Sequence, residues 1–272
     1  MRQVTFAVGL TVLCWWAMSV HAATLKCPPD SVLVGDACID LYEVSVWRIP
    51  PCAPGPKARC QSLVNKVQQG TATLADLTIN GATQLAPAST CRGPSDYGAN
   101  FPDTGNWTPE AGPSTPSPRV YALSIPGVQP SACITWFQAN QACRLSGKRL
   151  ARNDEWLAAA QGTPDPGTDN GTTDCNVGTG TGNVQEWTAD WTEANVGGCT
   201  DSTSAFGFPG SDDICFRGYV LEPNLPFPVP GPLVRGGEFQ DGPGAGVFAV
   251  DTSLFPADSD YGTGFRCARS AQ

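Results

Sequence analysis

Histidine is almost missing from this chain. Of 272 residues only His21 is one, and it falls in a segment read below as removable. Without it, a serine triad, a His-assisted cysteine nucleophile and histidine-ligated zinc or iron sites are excluded. Charge is also sparse: charged residues make up 15% of the chain, against roughly 25% in an average soluble domain. Their balance is acidic, with a formal net charge of -9, which argues against a surface that tracks nucleic-acid phosphates. No C-x-x-C pair occurs, which removes that redox motif and a zinc ribbon. No G-x-x-x-x-G-K-[ST] loop occurs either. Gly178-Thr-Gly-Thr-Gly182 lacks the strand, helix and lysine of a phosphate loop and reads as a turn. Beyond residue 22 no stretch reaches the ~18 apolar residues of a membrane-spanning helix.

Cysteine, glycine and proline are plentiful. Residues 1–22 read as a secretory signal: Arg2 supplies a positive start, Val4 to Val20 is mostly apolar, and Val20-His21-Ala22 ends in a small residue. The remaining chain, residues 23–272, keeps eleven of the twelve cysteines. So many half-cystines in an exported chain indicate a disulfide framework formed in an oxidising compartment, secreted or periplasmic. The odd number leaves at least one thiol free or paired between molecules. Gly (30) and Pro (25) together are about a fifth of the chain, and with 41% apolar residues that describes a folded domain with much irregular backbone.

Cys27 and Cys38 bracket Ser31-Val-Leu-Val34, followed by apolar positions at Ile39, Leu41, Tyr42, Val44, Val46 and Trp47; this reads as short strands stapled by a disulfide. Cys52 and Cys60 are expected to pair across a proline-rich loop, and Gln61–Gln69 to form a short helix stopped by Gly70. Residues 71–118 read as a long, loop-rich insertion anchored by Tyr97 and Trp107. Thr135-Trp-Phe-Gln138 fits a capping box opening a helix that closes at Ser146-Gly147. Asn153 is expected to cap a second helix, with Asp154 and Glu155 in its first turn and Gly162 after its end. Proline-rich Glu222–Pro232 reads as an extended surface connection. The carboxylate pairs Asp212/Asp213 and Asp258/Asp260 read as turn residues before acid–base machinery.

One series of motifs carries more information. Ile134-Thr-Trp-Phe-Gln-Ala-Asn-Gln-Ala-Cys-Arg-Leu-Ser-Gly-Lys-Arg-Leu150, Asn153-Asp-Glu-Trp156, Gly182-Asn-Val-Gln-Glu-Trp-Thr-Ala-Asp-Trp191, Arg235-Gly-Gly237 and Gly264-Phe-Arg-Cys-Ala268 follow one another. This succession resembles the formylglycine-generating enzyme, or sulfatase-modifying factor, family, and Asp40-Leu-Tyr-Glu-Val-Ser45 is similar to its opening strand. The resemblance implies an α+β fold of the C-type-lectin-like kind, with two helices, small twisted antiparallel sheets and much irregular loop. It implies a bridge from Cys143 to Cys267. It also implies a structural calcium held by Thr179 (at a family asparagine position), the carbonyls of Gly182 and Val184, and Glu186, oxygen donors of the hard kind calcium takes.

The resemblance breaks at the reaction. The family activates oxygen at copper held by two cysteines spaced C-x4-C shortly after the Gly-Gly, because Cu(I) prefers soft thiolates. Those positions are Asp241 and Gly246 here, and no cysteine lies between Cys215 and Cys267. Copper is therefore not expected, and calcium is the cofactor the resemblance leaves. The sequence favours an exported, non-catalytic module that binds a ligand, either an exported protein or a glycan. The alternative is a formylglycine-generating-type oxidase acting on a cysteine of exported sulfatases.

Overall fold

The computed structural model describes residues 25–51, 58–99, 101, 119–161, 184–192, 200–201, 213–215 and 231–272. Among them the chain forms four helices and three sheets, an α+β arrangement. No helix among the described residues is long and apolar enough to cross a membrane.

The first sheet joins the two ends of the chain. Strands β1 (Ser31–Val34) and β2 (Ala37–Asp40) form a hairpin about Gly35. The terminal strand β13 (Cys267–Ser270) lies between β2 and the short β6 (Arg149–Leu150). The expected Cys27–Cys38 bridge staples the hairpin. A buried ion cluster completes the join: Lys148 Nζ lies 2.6 Å from Asp30 Oδ2 and 2.5 Å from Asp40 Oδ1. Asp40 Oδ2 accepts from the Cys267 N–H. Burial pushes the Asp40 carboxyl up to about 6, with Lys148 pulling the other way.

In the second sheet, β3 (Ser45–Arg48) lies between β4 (Thr83–Leu85) and β5 (Val120–Leu123). Alternation along these strands feeds two cores, as the two-residue period of a strand requires. Val46, Val120 and Ala122 join one cluster with Tyr97, Phe101, Ile134, Trp187 and Phe265. Trp47, Tyr121 and Leu123 join another, which helices α1 (Ala58–Gln68) and α2 (Leu74–Ile79) cover with Leu63, Val64, Val67 and Leu77. Helix α2 and strand β4 lie in the stretch expected to be loop. The signal for α2 was Thr73 with Asp76 three residues on, a capping box formed in full. Tyr97 is an anchor as expected, fully buried with its hydroxyl donating to the Ala132 carbonyl; Trp107 lies outside the described residues.

Helix α3 (Trp136–Leu145) begins at the Thr135/Gln138 capping box and ends before Gly147, as the sequence indicates. The bridge from Cys143 to Cys267 is present and ties α3 to β13. A further bridge that the sequence reading did not pick out, Cys91–Cys133, ties the insertion to the loop before α3. The expected Cys52–Cys60 pair lies outside the residues whose side chains are described. Helix α4 (Asn153–Ala160) corrects one expectation: Asn153 is not its cap. The Arg152 N–H donates to Glu155 and the Asn153 N–H to Asp190, while Asn153 Oδ1 accepts from Arg235 Nε.

The third sheet runs β12 (Thr263–Phe265), β7 (Gln185–Thr192), β10 (Gly231–Gly236), β11 (Gly246–Asp251), β9 (Asp213–Cys215), β8 (Thr200–Asp201). It is mixed, not purely antiparallel: β12 runs parallel to β7, and β9 to β11. Gly231 and Pro232, expected at the end of a surface connection, are buried inside β10. Strands β12 and β13 are one run of chain that changes sheets at Arg266.

Candidate functional site

At the end of β10 the backbone takes two successive left-handed steps, Gly236 at φ +93° and Gly237 at φ +74°. A Cβ on Gly236 would stand 3.1 Å from the Trp156 ring, and one on Gly237 only 2.8 Å from Ala245 Cα. Only glycine combines these angles with such close approach. The double step throws residues 237–245 out as a loop, closed by Asp241 Oδ2 accepting from the Glu238 N–H at 2.7 Å. Between this loop and the sheet lies a pocket of about 190 Å³, with Gln185, Val234, Ala249, Val250 and Asp251 among its walls beside Glu238 and Asp241.

A second loop meets the first. Asp258 and Asp260 each fold a turn, accepting from the N–H groups of Phe255 and Gly262. That is the turn role expected of this pair. Tyr261 donates from its hydroxyl to Gln240 Oε1, and its ring lies 6.1 Å from that of Phe239. Both rings are exposed, Phe239 by 44% and Tyr261 by 45%.

Glu238 is the electrostatic centre of this region. Its carboxylate lies over the bare backbone of Gly262, where a Cβ would collide with Oε2. Partial burial, then the charges of Asp241 and Asp260, push its carboxyl up to about 7. No hydrogen bond or ion pair compensates that carboxylate among the described residues. Glu238 was missed from the sequence because a lone glutamate in a glycine-rich loop looks like any solvated charge.

Of the two positions that the sequence resemblance would assign to copper cysteines, Asp241 lines the pocket and Gly246 opens β11 opposite Gly236. Neither offers a thiolate, so these positions do not fit Cu(I).

The residues expected around calcium divide. Thr179 and Gly182 lie outside the described residues. Val184 is buried, its N–H donating to Glu43 Oε1 at 3.3 Å. Glu186 is wholly buried and points inward as expected, but both of its oxygens are in use: Oε1 accepts from Arg266 Nε at 2.7 Å, and Oε2 from Trp156 Nε1 at 2.9 Å. Burial pushes its carboxyl up while Arg266 and Trp156 pull it down. Burial works to lower Arg266, yet Glu186, Glu43 and Asp40 carry it above its usual value, so the guanidinium is charged. A carboxylate already bound to a guanidinium is a poor donor for a second cation, and Glu186 as placed does not fit a calcium ion. The segment is strand β7, with Trp187 buried and Trp191 half-exposed, edge-on to Trp136 at 5.1 Å.

No family model matches the chain, and no curated protein does. Solved structures of Major Tropism Determinant variants overlap with it. The U1 variant is 16% identical with a TM-score of 0.43, and the P3c variant 18% identical with 0.42; each match covers 91% of this chain and 54% of that protein. The chain thus spans about half the length of these proteins.

Proposed function

We propose that this chain is an exported ligand- or protein-binding module of the sulfatase-modifying-factor, C-type-lectin-like kind, without the oxidase chemistry of that family. The observation that carries the reading is the pocket behind Gly236-Gly237. It stands where the resemblance puts the copper cysteines, and it is walled by carboxylates, a glutamine and small apolar side chains. A concave site fixed by glycine turns on a core tied by disulfides is what binding from loops requires. The bridges Cys27–Cys38, Cys91–Cys133 and Cys143–Cys267 favour an oxidising compartment, in line with export.

The test uses the full chain, purified with its bridges intact. Probed against peptide and glycan arrays, it is expected to give hits that the double variant Glu238→Gln/Asp241→Asn loses without a fall in melting temperature. Hits indifferent to that variant would move the binding site elsewhere. Copper-dependent conversion of a sulfatase-motif cysteine peptide to formylglycine would overturn the non-catalytic reading altogether.

A further inference from the structure

The pocket has a chemical polarity that specifies its ligand more closely. Glu238, Asp241 and Asp251 line it, Asp260 acts on Glu238 from the neighbouring loop, and no lysine or arginine is among the lining residues. Val234, Ala249 and Val250 supply an apolar floor. Phe239, next to Glu238 in the chain, and Tyr261, next to Gly262, have nearly half of their surface in water. One carboxylate without a hydrogen-bond partner among the described residues, Glu238, with two more carboxylates and apolar surface beside it, suits a group with a charged head and an apolar stem. We infer that this pocket takes an organic cation, an ammonium or guanidinium head on an apolar stem, of the size of a lysine or arginine side chain.

Size and placement separate this ligand from a bare ion. About 190 Å³ is room for a side chain, below the roughly 300 Å³ where drug-sized sites begin. The carboxylates stand on separate segments, the 237–245 loop and β11, and no three His, Cys, Asp or Glu side chains converge as a metal ligand set among the described residues. Among the lining carboxylates Glu238 is the strongest attractor, because its side chain accepts no hydrogen bond among the described residues. A guanidinium or ammonium there gains a charge-assisted hydrogen bond without breaking one. Asp241 is held toward the loop by the Glu238 N–H, so it contributes field more than contact.

This inference rests on the binding reading above and is tested apart from it. The full chain is titrated with the N-acetyl methylamides of lysine, arginine and norleucine, and with calcium chloride, followed by backbone amide shifts. The two cationic probes are expected to shift amides of residues 234–251 and 258–263 saturably, and norleucine, which keeps the stem without the charge, to bind at least tenfold more weakly. Glu238→Gln should weaken the cationic probes about tenfold without lowering the melting temperature, since it removes a charge that burial and its neighbours disfavour. Tyr261→Ala should weaken them less. Equal binding of norleucine, or indifference to Glu238→Gln, overturns the cation and leaves a binding pocket. Shifts by calcium alone overturn it in favour of a metal ion. No shift at the pocket by any probe overturns it too, and the array and peptide assays then decide the binding reading independently.

Discussion

Replacing Glu186 by glutamine separates a structural carboxylate from a metal ligand. The side chain is wholly buried, and its partner Arg266 is at the residue where the chain passes from β12 in one sheet to β13 in another. The guanidinium reaches Glu186 on β7 through Nε and the carbonyl of Leu41, just after β2, through Nη1 at 3.0 Å. One ion pair thus clamps the two sheets. A glutamine in this place keeps an acceptor for the Trp156 N–H but leaves Arg266 buried beside a neutral amide. Breaking a buried pair from one side costs about 3–5 kcal/mol. Glu43 and Asp40 still lie near enough to favour the charged guanidinium, which places the expected loss at the low end, about 3 kcal/mol. For a domain of this length that is a fall of roughly 6–12 °C in melting temperature. The assay is thermal and urea unfolding of oxidised protein, in calcium and in chelator. The fall should be the same in both, and the double variant Glu186→Gln/Arg266→Met should recover most of it, since an apolar side chain removes the orphaned charge. A loss under about 1 kcal/mol, or one confined to calcium, would refute the clamp; the second outcome would make Glu186 a calcium ligand.

Three further outcomes are expected. Asp40 holds its proton to about pH 6 in the folded state against an ordinary 3.8, so its contribution to stability is full below about pH 4 and is lost as pH rises toward 6; Asp40→Asn should flatten unfolding free energy across that window, and an unchanged slope would refute the assignment. Opening the Cys143–Cys267 bridge with Cys143→Ser/Cys267→Ser releases a 124-residue separation, which chain-entropy arithmetic puts at roughly 4–5 kcal/mol; urea unfolding reads the loss, and non-reducing peptide mapping should show Cys91 still joined to Cys133. Gly237→Ala drives a Cβ into Ala245 at a left-handed φ, so it should cost about 1–3 kcal/mol in stability and abolish probe binding at the pocket; retained binding would show that the loop tolerates the change.

Where local chemistry decides structure, the sequence was a good guide. Thr135 with Gln138, Gly147 after the helix and Cys27 with Cys38 act over at most 11 residues, and each is found as expected. The same chemistry was present and overlooked at Thr73 and Asp76, because prolines and glycines around them made the stretch read as loop. The Cys143–Cys267 pairing, 124 residues apart, came from resemblance, since no spacing rule connects such distant thiols. Asn153 shows how a local rule yields to tertiary contact: its side chain is drawn off by Arg235, and Glu155 and Asp190 supply the acceptors that the helix start needs. Glu186 was legible as facing inward, but its engagement by a guanidinium was not, because Arg266 follows 80 residues later. The pocket is the extreme case. Its carboxylates come from a glycine-hinged loop, a strand and the loop after it, and each looks like an ordinary solvated or turn-forming acid in the linear chain. Only the double left-handed step at Gly236-Gly237, which lays Glu238 over Gly262, brings separate negative charges together around one partly buried carboxylate. That the two positions marked by the resemblance carry no thiolate is thus readable from sequence, whereas the negative pocket beside them depends on how two loops meet.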